Sequence, residues 1–241
     1  DRLQGEREFY RFSRELDSDR YLVDGEPTQV MIGARELDLN ATRSWESQHV
    51  AFTHGYGVAL APVSRVRATG DPIFLIGDLP IAIDPSMSVT IDRPQIYVGE
   101  DLGGYAIVGA SRNEVDYTDE HQETLEVRYA DIGGEGGVEM GSLLRRVAFS
   151  LRFGQLEPMI SNYITEDSRV IYVRDVRERV EKLAPFLRFD ADPYPVLHEG
   201  GIVYVIDGYT TTNRYPYAQR APVRELPSQS GLRTGFNYVR N

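Results

Sequence analysis

The apolar pattern of this chain changes period once, near residue 132, and that change limits the fold more than any other feature. Before it, hydrophobic residues come in short runs: Tyr21–Val23, Thr28–Leu37, Gly55–Val63, Ile73–Ile76, Gln95–Val98, Tyr105–Val108 and Leu125–Tyr129, with Gly or Pro in nearly every gap. Such runs predict strands, and the turn residues Asp24-Gly25-Glu26-Pro27 make the first two a hairpin. Ser44 to Val50 is ambiguous, with a short helix around Trp45 as one reading. After the change, Met140, Leu143, Leu144, Val147, Ala148 and Leu151 fall at helical spacing, with Arg145, Arg146 and Arg152 outside that stripe. Gly154 and Pro158 end this helix. A second helix opens at Asp175, with Glu178 three places on, and carries Val176, Val180, Leu183, Ala184 and Leu187 on one side. A hairpin follows, from Tyr194–Leu197 across His198-Glu199-Gly200-Gly201 to Ile202–Ile206.

Strands and helices are therefore segregated along the chain. That predicts an α+β fold: a mixed, mostly antiparallel sheet with a few amphipathic helices in the second half. The organisation is either one domain over 1–241 or two packed lobes, a strand-rich 1–132 and a helix-plus-hairpin 133–241. Residues 221–232, rich in Pro, Ser, Gly and Gln, read as an extended loop. With 241 residues the chain can bury roughly 70% of its unfolded surface and needs no covalent staple.

Composition removes several function classes. There is no cysteine, so disulfides, thiolate zinc sites and cysteine nucleophiles are excluded. The formal charge of −11 argues against a nucleic-acid partner, which needs a basic footprint. Lys182 is the sole lysine and lies on a polar helix side, which disfavours Schiff-base chemistry. No apolar run approaches the ~18–20 residues of a membrane span.

The chemical motifs are weak. His49, His54, His121 and His198 lie in different segments without a metal-binding spacing, so no metal and no cofactor is expected. Glu114, Asp116, Asp119, Glu120, Glu123 and Glu126 could offer oxygen ligands to calcium, but they lack EF-hand spacing and read as a solvated face. Gly133-Gly134-Glu135-Gly136-Gly137 lacks the Gly-Lys-Ser/Thr of a phosphate loop and reads as a linker before the first helix. No Gly-x-Ser-x-Gly elbow occurs, and no catalytic residue is assigned.

Two segments stand out. Thr53-His54-Gly55-Tyr56-Gly57 sets a histidine and a tyrosine between glycines that allow tight turns or close backbone approach. Asp207-Gly208-Tyr209-Thr210-Thr211-Thr212-Asn213-Arg214-Tyr215-Pro216-Tyr217 presents aromatic faces beside hydroxyl and amide groups, a surface suited to sugars, peptides or a protein partner. The candidate binding residues are His54, Tyr56, Tyr209, Thr211, Asn213, Tyr215 and Tyr217.

Several stretches also resemble a known family in order along the chain. They include Ala34-Arg35-Glu36-Leu37-Asp38, Thr53-His54-Gly55-Tyr56-Gly57-Val58, Ile96-Tyr97-Val98-Gly99-Glu100, Gly141-Ser142-Leu143-Leu144-Arg145-Arg146, Asp175-Val176-Arg177-Glu178-Arg179-Val180 and Asp207-Gly208-Tyr209-Thr210-Thr211. The resemblance is to uncharacterised protein family 0182, large bacterial multi-spanning membrane proteins of unknown function. It implies transmembrane helices before Asp1, a soluble region on the extracytoplasmic side of the cell membrane, and more of that region after Asn241. It carries no catalytic or binding residues across. The reading that follows is a binding or assembly domain, whose partners are its own transmembrane region and an envelope glycan, lipid or protein. A cell-envelope hydrolase, using His54 or paired carboxylates, is the alternative.

Overall fold

The computed structural model describes residues 9–13, 16–40, 44–118, 123–212 and 214, together with the backbone of 237–240. In chain order the first elements are β1 (Tyr10–Phe12), β2 (Asp17–Val23), β3 (Glu26–Leu37), a π-helical turn at Ser47–Ala51, β4 (Gly55–Tyr56), β5 (Val58–Pro62), β6 (Ile76–Gly77), β7 (Ala82–Ile83) and β8 (Gln95–Ile96). Next come β9 (Tyr105–Val108), β10 (Glu114–Thr118), β11 (Thr124–Val127), β12 (Val138–Glu139), α1 (Leu143–Phe153), α2 (Glu157–Ile160) and β13 (Arg169–Tyr172). The last are α3 (Val176–Leu183), β14 (Arg188–Phe189), β15 (Tyr194–His198), β16 (Gly201–Val205), β17 (Gly208–Thr212) and β18 (Asn237–Arg240). The class is the α+β arrangement expected, and every pairing between the named strands is antiparallel.

The long β3 organises the first half. It pairs with β2 through the Asp24-Gly25 turn, with β1 near its C-terminal end and with β5 along its middle, where Gly33 faces Ala59. Its C-terminal residues Ala34 to Leu37 are all buried, which drives Arg35 and Glu36 into the interior with their apolar neighbours. Val30, Ile32, Ala34, Leu37, Val58, Leu60 and Ile76 form the main core here. A second core joins Val50, Tyr105, Ile107, Met140, Ile164 and Val170, where β9 and β13 pair beneath α1.

Helix ends follow the sequence in part: Met140, read in the first helical stripe, precedes α1, and Leu187, read on the second helix, lies beyond α3. Ser142 caps α1 by accepting from the Arg145 amide, and Gly154 ends it in the left-handed conformation at φ 66°. Asp175 caps α3 by accepting from the Glu178 amide at 2.7 Å. The hairpin β15–β16 turns through Glu199 and Gly200, both at positive φ, as a type I′ turn requires.

The faces of the helices do not follow the sequence. Leu144 and Leu151, read as members of an inward stripe, are 84% and 80% exposed. The inner side of α1 is instead aromatic: Phe153 stacks on Tyr105 at 3.8 Å between centroids, and Phe149 packs on Tyr172. Large flat rings cover the β9–β13 surface better than a leucine row does, so they decide the helix's rotation. On α3, Val176 is buried but Leu183 is 76% exposed. No helix among the described residues is long and apolar enough to cross a membrane.

Candidate functional site

Segments far apart in sequence meet at a buried polar centre between the two cores. Thr53 and His54 enter from the π-helical turn, Tyr97 follows β8, Glu114 opens β10 and Arg174 follows β13; Thr53, His54, Glu114 and Arg174 are all buried. Glu114 Oε2 accepts from the Tyr97 hydroxyl at 2.7 Å and from the Thr53 hydroxyl. Arg174 donates from Nη2 to the Thr53 carbonyl at 2.6 Å and from Nε to the Tyr97 carbonyl at 3.0 Å. Burial pushes the Glu114 carboxyl up to about 7, although both hydroxyl donors and Arg174 pull it down. Burial also lowers the Arg174 guanidinium to about 10 and His54 to about 4, so at neutral pH the guanidinium is charged and the imidazole neutral. His54 donates from Nδ1 to the Gly55 carbonyl at 3.1 Å and turns Nε2 toward Asp116 Oδ1 at 3.9 Å.

A second carboxylate is held in the same interior. Glu36 accepts from the Glu100 amide at 2.5 Å, the Asp101 amide at 2.8 Å and the Tyr204 hydroxyl at 2.9 Å. Gly99 permits this, because a Cβ there would lie 2.2 Å from Glu36 Oε1. Gly55 has an equivalent role: its Cβ would lie 2.2 Å from the Arg35 carbonyl oxygen. Glu100 is pushed up to about 8, first by burial and then by the Glu36 charge. The stretches around Arg35-Glu36, Thr53-His54-Gly55, Tyr97 to Glu100 and Arg174-Asp175 therefore form one structural unit.

This centre supports a surface cleft of about 340 Å³, lined among others by Arg93, Gln95, Tyr97, Tyr129, Gly134 and His198. Two of its side chains are fixed from beneath by buried acids: Tyr97 by Glu114, and Gln95, whose Nε2 donates to Asp116 Oδ1 at 2.8 Å. The Tyr97 and Tyr129 rings meet edge to face at 5.3 Å. Gly134 lies flat on Tyr129, where a Cβ would come within 2.4 Å of the ring. Gly134, within the run read as a linker, is thus packed into the wall of the cleft. Chemically, the cleft offers the partly exposed Tyr97 ring, the exposed Arg93 guanidinium, and the His198 imidazole and Glu199 carboxylate, while Tyr129 is buried and the Gln95 amide and Tyr97 hydroxyl are engaged with the acids beneath. Among the described residues no carboxylate lies within ion-pair distance of Arg93.

The sequence candidates divide. His54 and Tyr56 belong to the interior beneath the cleft, Tyr56 with its backbone paired to Gln95 and its ring 4.9 Å from Tyr117. Tyr209 lies on β17 opposite Arg188, in the sheet β14–β17–β18, and its hydroxyl donates to Asp190 Oδ2 at 3.3 Å. Thr211 sits on the same strand opposite Tyr238, its side chain beyond description, and Asn213, Tyr215 and Tyr217 lie outside the described residues. The acidic stretch is not a solvated face at its start, since Glu114 is 1% and Asp116 6% exposed. No group of residues suited to a metal ion occurs among the described residues. Sequence reasoning missed Tyr97 and Arg174 as partners in a site, and no local spacing marks them.

Comparison with known proteins gives a consistent picture. The model of an uncharacterised protein family (UPF0182) matches residues 1–241. A UPF0182 protein of Moorella thermoacetica is 41% identical over 99% of this chain, and one of Geobacter sulfurreducens is 42% identical over 99%. A third, from Methanospirillum hungatei, is 38% identical over all of it. The chain spans about a quarter of the length of these relatives, 25% or 26% of each. No solved structure matches the chain.

Proposed function

Taking as premise that the chain belongs to the uncharacterised family UPF0182, we propose that it is a ligand-binding region of a larger membrane protein, exposed on the extracytoplasmic side. Its cleft takes an envelope glycan or a related polar ligand bearing hydroxyl groups and a carboxylate. The observation that carries this reading is the support beneath the cleft. Tyr97 and Gln95 are held in place by Glu114 and Asp116, so little side-chain entropy remains to be lost on binding. The Tyr97 ring suits contact with a sugar, Arg93 suits a carboxylate, and Glu199 on the same lining can accept from a sugar hydroxyl. His54 and Tyr56 contribute from beneath, and the segment Tyr209 to Tyr217 is kept as a further contact region for a partner.

The test is calorimetric titration of the 241-residue chain with muramyl dipeptide and with N-acetylglucosamine tetrasaccharide. Saturable binding of muramyl dipeptide is expected, weakened about tenfold or more by Arg93→Ala through loss of one charged hydrogen bond. Failure of both probes to bind, or binding indifferent to Arg93→Ala, would refute the cleft assignment. For the cellular side, Ser64→Cys in the full-length protein is expected to react with an impermeant maleimide in intact cells. Labelling only after lysis would place the region inside.

One observation favours the hydrolase as a second reading: Glu114 titrates near neutrality in hydrogen-bond contact with a cleft phenol. Release of sugar fragments from peptidoglycan, lost in Glu114→Gln, would select it; recovery of peptidoglycan and of the N-acetylglucosamine tetrasaccharide intact after prolonged incubation would remove it.

A further inference from the structure

The β15–β16 hairpin forms one wall of the cleft, through His198, Glu199, Gly201, Ile202 and Val203. It is a sheet of two strands only, and such a hairpin is marginally stable by itself. Its place therefore depends on how it is held to the body. Leu197, Ile202 and Tyr204 pack against the main core. Polar contacts add to this: the Tyr204 hydroxyl donates to Glu36 Oε1 at 2.9 Å and the Leu197 amide to the Tyr21 hydroxyl at 2.9 Å. At the turn, the Asp92 and Arg93 amides donate to the Gly200 carbonyl at 2.8 and 2.9 Å.

The Tyr204 contact ends among acids brought together by the fold. Glu36 comes from β3, Glu100 and Asp101 from the loop after β8, Asp17 from the start of β2 and Asp192 from just before β15. Glu36 is well supplied with donors, two backbone amides as well as Tyr204. Glu100 is not: its Oε1 is buried and has no hydrogen-bond partner among the described residues. The charges acting most strongly on Glu100 are those of Glu36, Asp17, Asp192 and Asp101, all negative. Arg11 lies beside Asp101 at 4.0 Å, and Arg174, whose charge meets that of Glu36, donates to the Thr53 and Tyr97 carbonyls. Burial first, and the neighbouring carboxylates second, push Glu100 up to about 8, so at neutral pH it keeps its proton. The Glu100 and Asp17 charges also reach Tyr204, whose hydroxyl is pushed upward by burial and by Glu36 and remains a donor.

We propose that Glu100 is a proton-operated latch on the cleft wall: protonated, it lets the hairpin close over the acids, and ionised, it drives the hairpin outward. An ionised Glu100 in the closed wall faces Glu36 without a donor of its own, and water reaches both carboxylates once the hairpin lifts. With the wall closed Glu100 holds its proton up to about 8, and with the wall open it ionises at the ordinary 4.5. Closure is therefore complete below 4.5 and is lost as pH rises through 8. The latch moves the wall whatever the cleft binds, so it goes beyond the ligand reading and does not rest on it.

Hydrogen exchange of the 241-residue chain tests this, read by mass spectrometry at pH 6 and pH 8 and corrected for the intrinsic rate at each. Full linkage lowers hairpin protection about tenfold per pH unit. Glu100 is half-buried, so screening by water reduces this to about tenfold over both units. Peptides covering β15 and β16 are expected to show that loss, and peptides of β9 and β13 to show less of it. In Glu100→Gln, neutral at both pH values like the protonated acid, the hairpin should keep its protection from pH 6 to pH 8. Glu114→Gln should leave the hairpin's response in place, which separates the latch from the buried centre. Equal hairpin protection at the two pH values in the natural chain overturns the proposal. So does a loss that persists in Glu100→Gln, that disappears in Glu114→Gln, or that runs equally through β9 and β13.

Discussion

Glu114 gives the most direct physical test of the buried centre. In an unfolded chain its carboxyl ionises near 4.5, and in the fold near 7, because desolvation outweighs its two hydroxyl donors and Arg174. A raised folded value means that the native state holds the proton more tightly than the unfolded state does. The stabilisation is therefore complete below 4.5 and is lost as pH rises through 7. At 1.36 kcal/mol per pH unit, this one group removes about 3 kcal/mol of stability across that window. Glu114→Gln keeps an amide oxygen to accept from Tyr97 and Thr53 but cannot ionise, so it escapes the loss. Urea unfolding of both proteins from pH 4.5 to 8 can be followed by the fluorescence of the sole tryptophan, Trp45, which donates to the Tyr105 hydroxyl inside the second core. Stability of the variant relative to the natural sequence should rise by about 3 kcal/mol over that range. Glu100, also shifted upward, titrates in both proteins and cancels to first order. A difference constant within about 0.5 kcal/mol would refute the claim that Glu114 is buried without full compensation.

Two further substitutions test the packing. Gly55→Ala drives a methyl group to 2.2 Å from the Arg35 carbonyl, a backbone atom that cannot swing away, so a loss of about 3 kcal/mol is expected by thermal denaturation; a melting temperature equal to that of the natural chain would mean that β3 and β4 do not approach so closely. On α1, Phe149→Ala should cost about 2–3 kcal/mol while Leu144→Ala stays within about 0.5, the reverse of what the leucine-based helical pattern implies. Equal costs would place both helix faces in contact with the core.

How legible each feature was depended on the range of the physics behind it. Hairpins and caps are local: Asp24-Gly25, Glu199-Gly200, Gly154, and Asp175 with Glu178 are set within a few residues, and each was readable from turn or cap chemistry, whereas the Ser142 cap was hidden by an apolar spacing that carries the helix back to Met140. The rotation of α1 was not, because it depends on what lies under the helix. The apolar period gives Leu144 and Phe149 similar weight until Tyr105 and Tyr172 are known to be the floor. The buried centre was legible in fragments only. Glycines around His54 signalled close approach, and Gly55 does abut Arg35, but the hydrogen bond that ties Arg174 to Thr53 spans 121 residues.

The same long range explains why acids that look like solvated surface become interior. On β10, Glu114 and Asp116 lie two residues apart across a β-bulge, and both carboxyls reach one buried side where the Gln95–Tyr97 segment runs. Whether that side faces water is decided by Tyr97 and Gln95, which lie between those acids and the cleft and satisfy one oxygen of each. An isolated buried carboxylate would be too costly to keep. One anchored to a cleft side chain converts part of that cost into a fixed phenol and a fixed amide. A sequence can place two acids on one strand, but only the pairing of distant segments can turn them into the foundation of a site. Substitution should therefore tell foundation from surface: Glu114→Gln alters both stability and binding, while Arg93→Ala alters binding alone.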